Sequence, residues 1–257
     1  MMPLPRKEIL ADGIELWRAD FREILPHAVD DFHHLITDAP YEQISHDATG
    51  SIRRMDGVIA PAPLAFDGID NLRDDLLLRA KIKCSGWFLS FCTTEGVAIW
   101  RDAIEKHGLK YKTPMIWVKP DAMPKFNGQG PSHGHECIVS SWCGGGYSRW
   151  NGGGRRGTFT HNCNWGSRVA AHDGGHQTEK PLSLMMELVA LFSDHGQTVC
   201  DPFMGTGTTG EACIRLGRKF IGIEQNPKWF TYACRRLENA LKQPDLFVEV
   251  PKFVQTK

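Results

Sequence analysis

Compact apolar runs, each the length of a buried strand, alternate along this chain with longer stretches in which apolar residues return every three or four positions. Ile14 to Arg18 reads as a short strand, Phe21 to Ala28 as a helix, and His33 to Thr37 as an apolar strand ending at Asp38. Residues 42 to 67, with Gly50, Gly57, Pro61 and Pro63, read as loop. A helix from about Ile69 to Lys83, a strand from Gly86 to Thr93 and a helix from Glu95 to His107 come next. Strand runs then surround Met115 to Val118 and Cys137 to Trp142.

Between 144 and 178 the pattern lapses. Glycines and aromatics alternate with arginines, little of it suited to a core, so a loop-rich insertion is expected there. Regularity returns at Pro181, a residue suited to the first turn of a helix, after which Leu182, Met185, Val189 and Phe192 share one face. Strand Thr198 to Cys200, a glycine-rich turn, a helix to about Leu216, strand Lys219 to Glu224 and a helix from Pro227 to Leu241 complete the reading. Strands alternating with helices predict an α/β fold: a mostly parallel sheet covered on both faces. The expected division is 1–143 and 179–242 as two halves of one domain, 144–178 as the insertion and 243–257 as a tail.

Composition narrows the class. At 257 residues, 41% hydrophobic and 23% charged, the chain can bury one sizeable core. No apolar run approaches the roughly 18 residues that span a bilayer, and the first residues do not resemble a signal peptide. A cytoplasmic protein with no membrane partner is expected. Thirty basic residues balance thirty acidic ones, so a nucleic-acid partner would have to meet a local basic patch. Eight cysteines without a C-x-x-C pair fit free thiols in a reducing compartment. His133, His135, Cys137, Cys143, His161 and Cys163 match no standard zinc spacing, and no metal is expected.

Two constellations carry chemistry. The first, Asp201-Pro-Phe203-Met-Gly205-Thr-Gly207-Thr-Thr-Gly210, joins a strand to a helix and contains G-x-G-x-x-G. Glycines there allow positive φ and close approach of a ligand, and the helix start offers free N–H groups. Glu224 ends the next strand, 19 positions after Gly205, where a carboxylate can accept from ribose hydroxyls. Only about 30 residues follow Glu224, too few for the second half of a dinucleotide fold, so the rest of the sheet must come from upstream. The second constellation, Asp38-Ala39-Pro40-Tyr41, directly follows a strand. It can present a carboxylate, a backbone carbonyl and an aromatic ring to a planar base bearing an amino group. An Asp-initiated turn with Tyr41 packed over it would give the same tetrapeptide.

Together and in this order, the two constellations resemble the amino-methylating DNA methyltransferases of the circularly permuted β class. Their D-P-P-Y or S-P-P-Y motif precedes a glycine loop that binds S-adenosylmethionine (SAM). The resemblance runs from about Ile14 to Leu241. It implies a Rossmann-like, permuted sheet, with Asp38, Ala39, Pro40 and Tyr41 as the catalytic motif, Ala39 standing where the family has its first proline. It also assigns Lys180, Pro181, Asp201, Phe203, Gly205, Gly207 and Glu224 to the SAM pocket, and Asp20 to the vicinity of the cofactor's adenine. Trp117-Val-Lys119 and His135-Glu136 resemble strands leading to the target-recognition region. The implied reaction is direct methyl transfer to the amine of a flipped base in double-stranded DNA, adenine N6 rather than cytosine N4 because Asp, not Ser, opens the motif. Within the insertion Arg149, Arg155, Arg156 and Arg168 outnumber Asp173 and are the candidate DNA contacts, with Trp150 or Trp165 able to stack on bases. An RNA or protein amine as substrate, or a module that binds nucleotide without catalysis, are the competing classes; the oligomeric state, homodimer included, stays open.

Overall fold

The fold is that of a computed structural model, which describes residues 5–27, 29–41, 68–122, 130–163 and 179–243. Among the described residues nine strands form one sheet: β1 (Arg6–Ala11), β2 (Ile14–Arg18), β3 (His34–Thr37), β4 (Trp87–Cys92), β5 (Lys110–Val118), β6 (His135–Trp142), β7 (Thr158–Thr160), β8 (Thr198–Asp201) and β9 (Lys219–Ile223). Their spatial order is β1-β2-β9-β8-β3-β4-β6-β5-β7. β2, β9, β8, β3 and β4 pair in parallel, β6 runs against both neighbours, and β1 lies antiparallel on the edge.

Alternation along the strands assigns the two faces. In β4, Trp87, Leu89 and Phe91 join one core cluster and Phe88 and Cys92 the other; in β3, Ile36 and Leu35 divide the same way. The helices α1 (Phe21–Ile24), α2 (Arg73–Lys83) and α3 (Gly96–Lys106) cover one face, through Leu76, Leu77, Trp100 and Ile104. The helices α4 (Leu182–Phe192), α5 (Thr208–Arg215) and α6 (Pro227–Lys242) cover the other, through Leu188, Ala212 and Leu237. A sheet buried on both sides explains why its central strands read as continuous apolar runs.

Three expectations change, and one strand is unforeseen. Helix α1 has one turn: Leu25 caps it in the right-handed conformation, and Pro26 beyond it has no N–H to donate the next helical hydrogen bond. The run from Ile69 begins as a 3₁₀ turn, Ile69–Asn71, before α2. Strand β1 has no alternating signature: Arg6, Lys7 and Glu8 charge its first half and Ile9, Leu10 and Ala11 make up the rest, so only pairing with β2 reveals it. The expected lack of core in the insertion does not hold. β7 extends the sheet beside β5, Phe159 is 1% exposed, and Trp150 packs against Phe192 with ring centroids 5.5 Å apart. The sheet therefore runs across the boundary expected at 143/144. The loop read at 42–67, the end of the expected insertion and the tail lie outside the described residues. Among the described residues no helix is long and apolar enough to cross a membrane.

The connections matter most for function. From β8 the chain passes through α5 to β9 on one side, whereas from β3 it leads through α2 to β4 on the other. β3 and β8 are hydrogen-bonded neighbours. Their carboxyl ends therefore flank the point where the strand order reverses, the place where open α/β sheets bind ligands.

Candidate active site at the carboxyl ends of β3 and β8

Asp201 is the last residue of β8 and is 2% exposed. Its Oδ1 accepts from Thr37 Oγ1 at 2.7 Å and from the Phe203 backbone N–H at 3.1 Å, and its Oδ2 accepts from Thr209 Oγ1 at 2.6 Å. One carboxylate thus ties the end of β3, the glycine loop and α5 together. Burial pushes it up to about 6, against the downward pull of those three donors.

The loop it anchors needs its glycines for two reasons. Gly205 and Gly207 hold φ of 51° and 84°, in the left-handed region. At Gly210 a Cβ would stand 2.7 Å from Leu237 and from Phe220, so α5 can lie this close to α6 and β9 only without a side chain. Glu224 follows β9, where its Oε2 accepts from the Gly205 N–H at 3.1 Å and its Oε1 from the Asn226 N–H at 2.7 Å. Burial lifts its carboxyl to about 7 although both donors pull the other way. Phe203 packs on Phe21 with centroids 5.1 Å apart. Asp20 caps α1 and pairs with Arg22 at 2.6 Å, an ordinary helix-start arrangement.

The second constellation lies one strand away. Asp38 Oδ2 accepts from Lys180 Nζ at 2.6 Å, while its Oδ1 is buried and has no hydrogen-bond partner among the described residues. Ala39 is buried and Pro40 half-buried. The Tyr41 hydroxyl donates to Glu136 Oε2 at 2.7 Å and receives Lys180 Nζ at 3.1 Å. Lys180 also reaches Glu136 at 3.3 Å, and Lys119 pairs with Glu136 on its other side. Two cations and two carboxylates thus close around one tyrosine. Burial raises Glu136, but Lys180 and Lys119 outweigh it and bring the carboxyl down to about 2. Asp38 ends above its ordinary value because burial exceeds the pull of Lys180.

Among the described residues, the hydrogen bonds and ion pairs of Lys180 go to Asp38, Tyr41 and Glu136 and none to the glycine loop. Pro181 is the N-cap of α4. Glu179, which sequence reasoning missed, does reach the loop: its Oε2 accepts from Thr206 Oγ1 at 3.0 Å, and its Oε1 pairs with Arg236 at 2.7 Å. Nothing local in the sequence marks that partnership, since Arg236 is 57 positions away.

In the insertion, the Arg149 carbonyl accepts from Trp87 Nε1 at 2.6 Å, and Asn151 Nδ2 reaches the Ala190 and Ser193 carbonyls at 3.1 Å. Arg155 is paired with Glu187 on α4, which also binds His161 Nε2 at 2.6 Å. Arg156 is exposed, and Arg168 lies outside the described residues. Among the described residues, no cluster of three or more His, Cys, Asp or Glu is arranged to hold a metal.

Comparison with known proteins bears on this geometry. The family model described as DNA methylase, for N6 and N4 amino methylation, matches residues 32–235 and so takes in β3, the glycine loop and Glu224. The chain belongs to the N6/N4 DNA methylase family. Among curated proteins, this chain is 30% identical over 154 residues to the type II methyltransferase M.HinfI of Haemophilus influenzae, covering 51% of this chain and 40% of that one. It is 30% identical over 144 residues to M.XycI of Xanthomonas campestris pv. cyanopsidis, covering 53% and 47%. The match thus spans about half the length of those relatives, or less. Among solved structures, the M1.HpyAVI–SAM complex superposes with a TM-score of 0.65 at 24% identity, over 86% of this chain and 98% of that one. PvuII DNA methyltransferase, described as cytosine-N4-specific, gives 0.60 at 14% identity over 89% and 91%. At those identities the likeness is one of fold.

Proposed function

We propose that this chain transfers a methyl group from SAM to the exocyclic amine of a flipped base in double-stranded DNA, adenine N6 in preference to cytosine N4, on a circularly permuted methyltransferase sheet. The observation that carries the proposal is the buried, unpartnered Oδ1 of Asp38 beside the β3/β8 switch point. A buried acceptor without a donor is costly unless a ligand supplies one. The amino group of a base does so.

The residues around the glycine loop fit SAM. Gly205 and Gly207 open the backbone, and the Glu224 oxygens, each holding one backbone N–H, retain capacity to accept from ribose hydroxyls. Asp201 anchors the loop through the Phe203 N–H and Thr209, Phe203 packed on Phe21 offers an apolar wall, and Pro181 and Asp20 are assigned to this pocket by the proposal. When bound, SAM supplies an electrophilic methyl group on sulfur. Asp38 and the Ala39 carbonyl then accept from the amino hydrogens of the base, which frees the nitrogen lone pair to attack, while the Tyr41 ring stacks on the base. As the methyl passed from the SAM sulfur to that nitrogen, Asp38 would be placed to take the proton that the amine gives up. Flipping the base costs a few kcal/mol, offset by this stacking and hydrogen bonding. Arg149, Arg155, Arg156 and Arg168 are proposed to meet the DNA backbone.

The test is duplex DNA incubated with labelled SAM, followed by nucleoside analysis. Methylation of adenine N6 supports the reading, and N4-methylcytosine keeps the mechanism but changes the base. In Asp38→Ala, turnover should fall on the order of a hundred-fold with SAM affinity retained, as for other groups placed against developing charge. Full turnover in that variant would refute the role of Asp38, and label in RNA or protein but not DNA would refute the substrate.

A further inference from the structure

The two oxygens of Asp38 are treated differently by the protein, and the difference traces to a lysine. Lys180 is 6% exposed, and its Nζ lies 4.9 Å from the Phe91 ring centroid and 5.3 Å from that of Tyr41. An ammonium enclosed by two aromatic rings is held where it is by desolvation and by its carboxylates. Those carboxylates are Asp38, through Oδ2 alone, and Glu136. Glu136 is in turn shared with Lys119 and Tyr41. We propose that Lys180 is a positioning residue for the catalytic carboxylate: it takes Asp38 Oδ2, with Glu136 as counterweight on β6, and so turns Oδ1 towards the amino group of the base. The inference rests on the methyltransferase reading above and reassigns Lys180 from the cofactor pocket to the catalytic cleft.

Geometry also makes the two partners oppose each other. Lys180 stabilises the ionised form of Asp38 and Glu136 destabilises it, while burial raises the carboxyl overall. The other groups facing this cluster are Lys119 at the end of β5, Tyr41 on Asp38's own loop, Asp201 at the end of β8 and Cys92 at the end of β4. None of them touches both Asp38 oxygens. Neutralising Lys180 should therefore move the titration of Asp38 to higher pH, and neutralising Glu136 should move it to lower pH. A residue that merely fills space would produce neither change, and still less a pair of opposite sign.

The experiment compares Lys180→Gln, Lys180→Arg and Glu136→Gln with the wild type. The Asp38 carboxyl is followed by carbon NMR, its signal assigned by loss in Asp38→Asn, alongside pH–rate profiles of methyl transfer and calorimetric SAM binding. In Lys180→Gln, the acid limb should move towards alkaline pH, and turnover at a fixed pH on that limb should fall about tenfold for every pH unit the limb has moved. Recovery should come at high pH, and SAM affinity should hold. Lys180→Arg keeps the charge and should keep the wild-type limb, whatever its maximal rate. Glu136→Gln should move the limb the other way. An unmoved Asp38 titration in Lys180→Gln, or lost SAM binding with an unchanged pH profile, overturns the inference. Should Lys180→Gln not fold, Glu136→Gln decides alone: displacement of the Asp38 titration to lower pH supports the inference, and an unmoved titration overturns it. A wild type that methylates no DNA refutes the proposed function, yet the NMR titration still decides what Lys180 does.

Discussion

Glu224 offers a test of the cofactor pocket that needs only a change of pH. Its carboxyl is lifted to about 7, principally by burial, and accepts two backbone N–H groups in the free protein. Ribose hydroxyls donating to it favour the ionised form, so SAM should select the carboxylate and expel the proton. The sign follows directly: below about pH 7 binding must first ionise Glu224, and affinity falls as pH falls. With a titration near 7, affinity at pH 6 should be about tenfold weaker than at pH 8, a difference of roughly 1.4 kcal/mol. SAM has ionisable groups of its own, and Glu224→Gln separates them because the amide keeps an acceptor oxygen and does not titrate in this range. Calorimetry at pH 6, 7 and 8 in buffers of different ionisation enthalpy measures both affinity and proton release. The variant should bind more weakly at pH 8, by about 1.5–3 kcal/mol for a lost charged hydrogen bond, and should lack the wild type's extra loss at pH 6. Equal pH dependence in the two proteins, with no difference in protons released, would refute the assignment of Glu224 to the ribose.

Three further outcomes follow from the packing. Asp201 titrates near 6, above an unfolded aspartate, so its contribution to stability is fully present below about pH 4 and is lost as pH rises through about 6; relative to wild type, Asp201→Asn should gain about 3 kcal/mol between about pH 3 and pH 7, and a flat difference in urea unfolding would contradict the burial argument. Phe159→Ala should destabilise the protein by about 3–5 kcal/mol, as for a core aromatic, whereas a change within about 0.5 kcal/mol would return 144–163 to a peripheral loop. Arg156→Ala should lower the salt dependence of DNA binding by about one unit and Arg155→Ala by less, because Arg155 is held by Glu187; equal effects in a salt titration would show that this ion pair gives way to phosphate.

The central strands are readable in the sequence because they are buried on both faces: β3, β4, β8 and β9 appear as apolar runs within a residue or two of their observed ends. Helices α4 and α6 are equally plain, since each has a proline at its start and apolar residues in helical phase. β1 and β7 are not, because an edge strand has little to bury. β7 is three residues long, with only Phe159 turned inward. The glycine loop and Asp38 can be found from their neighbours in sequence. The partners of Asp38 cannot: Lys180 is 142 positions away and Glu136 arrives from an antiparallel strand, so only the folded sheet brings them together.

The same fold explains why two constellations so distant in sequence act at one place. β3 and β8 are joined not only by their ladder but by side chains at its end, where Thr37 donates to Asp201 immediately before Asp38. A second link comes from the two residues before Pro181 and α4, whose side chains serve opposite halves of the site. Glu179 holds Thr206 in the glycine loop and Arg236 on α6, while Lys180 holds Asp38, Tyr41 and Glu136. Neighbouring side chains in an extended segment point to opposite sides, so a single short stretch can grip both constellations at once. Proline at 181 ends that stretch, with its own φ at −60°, and its ring biases Lys180 before it towards the extended conformation that this division requires. On the proposed function, the spacing of the two bound reactants would be set by paired strand ends and this two-residue strap, and alignment of bound reactants is where much of the rate of such a transfer originates.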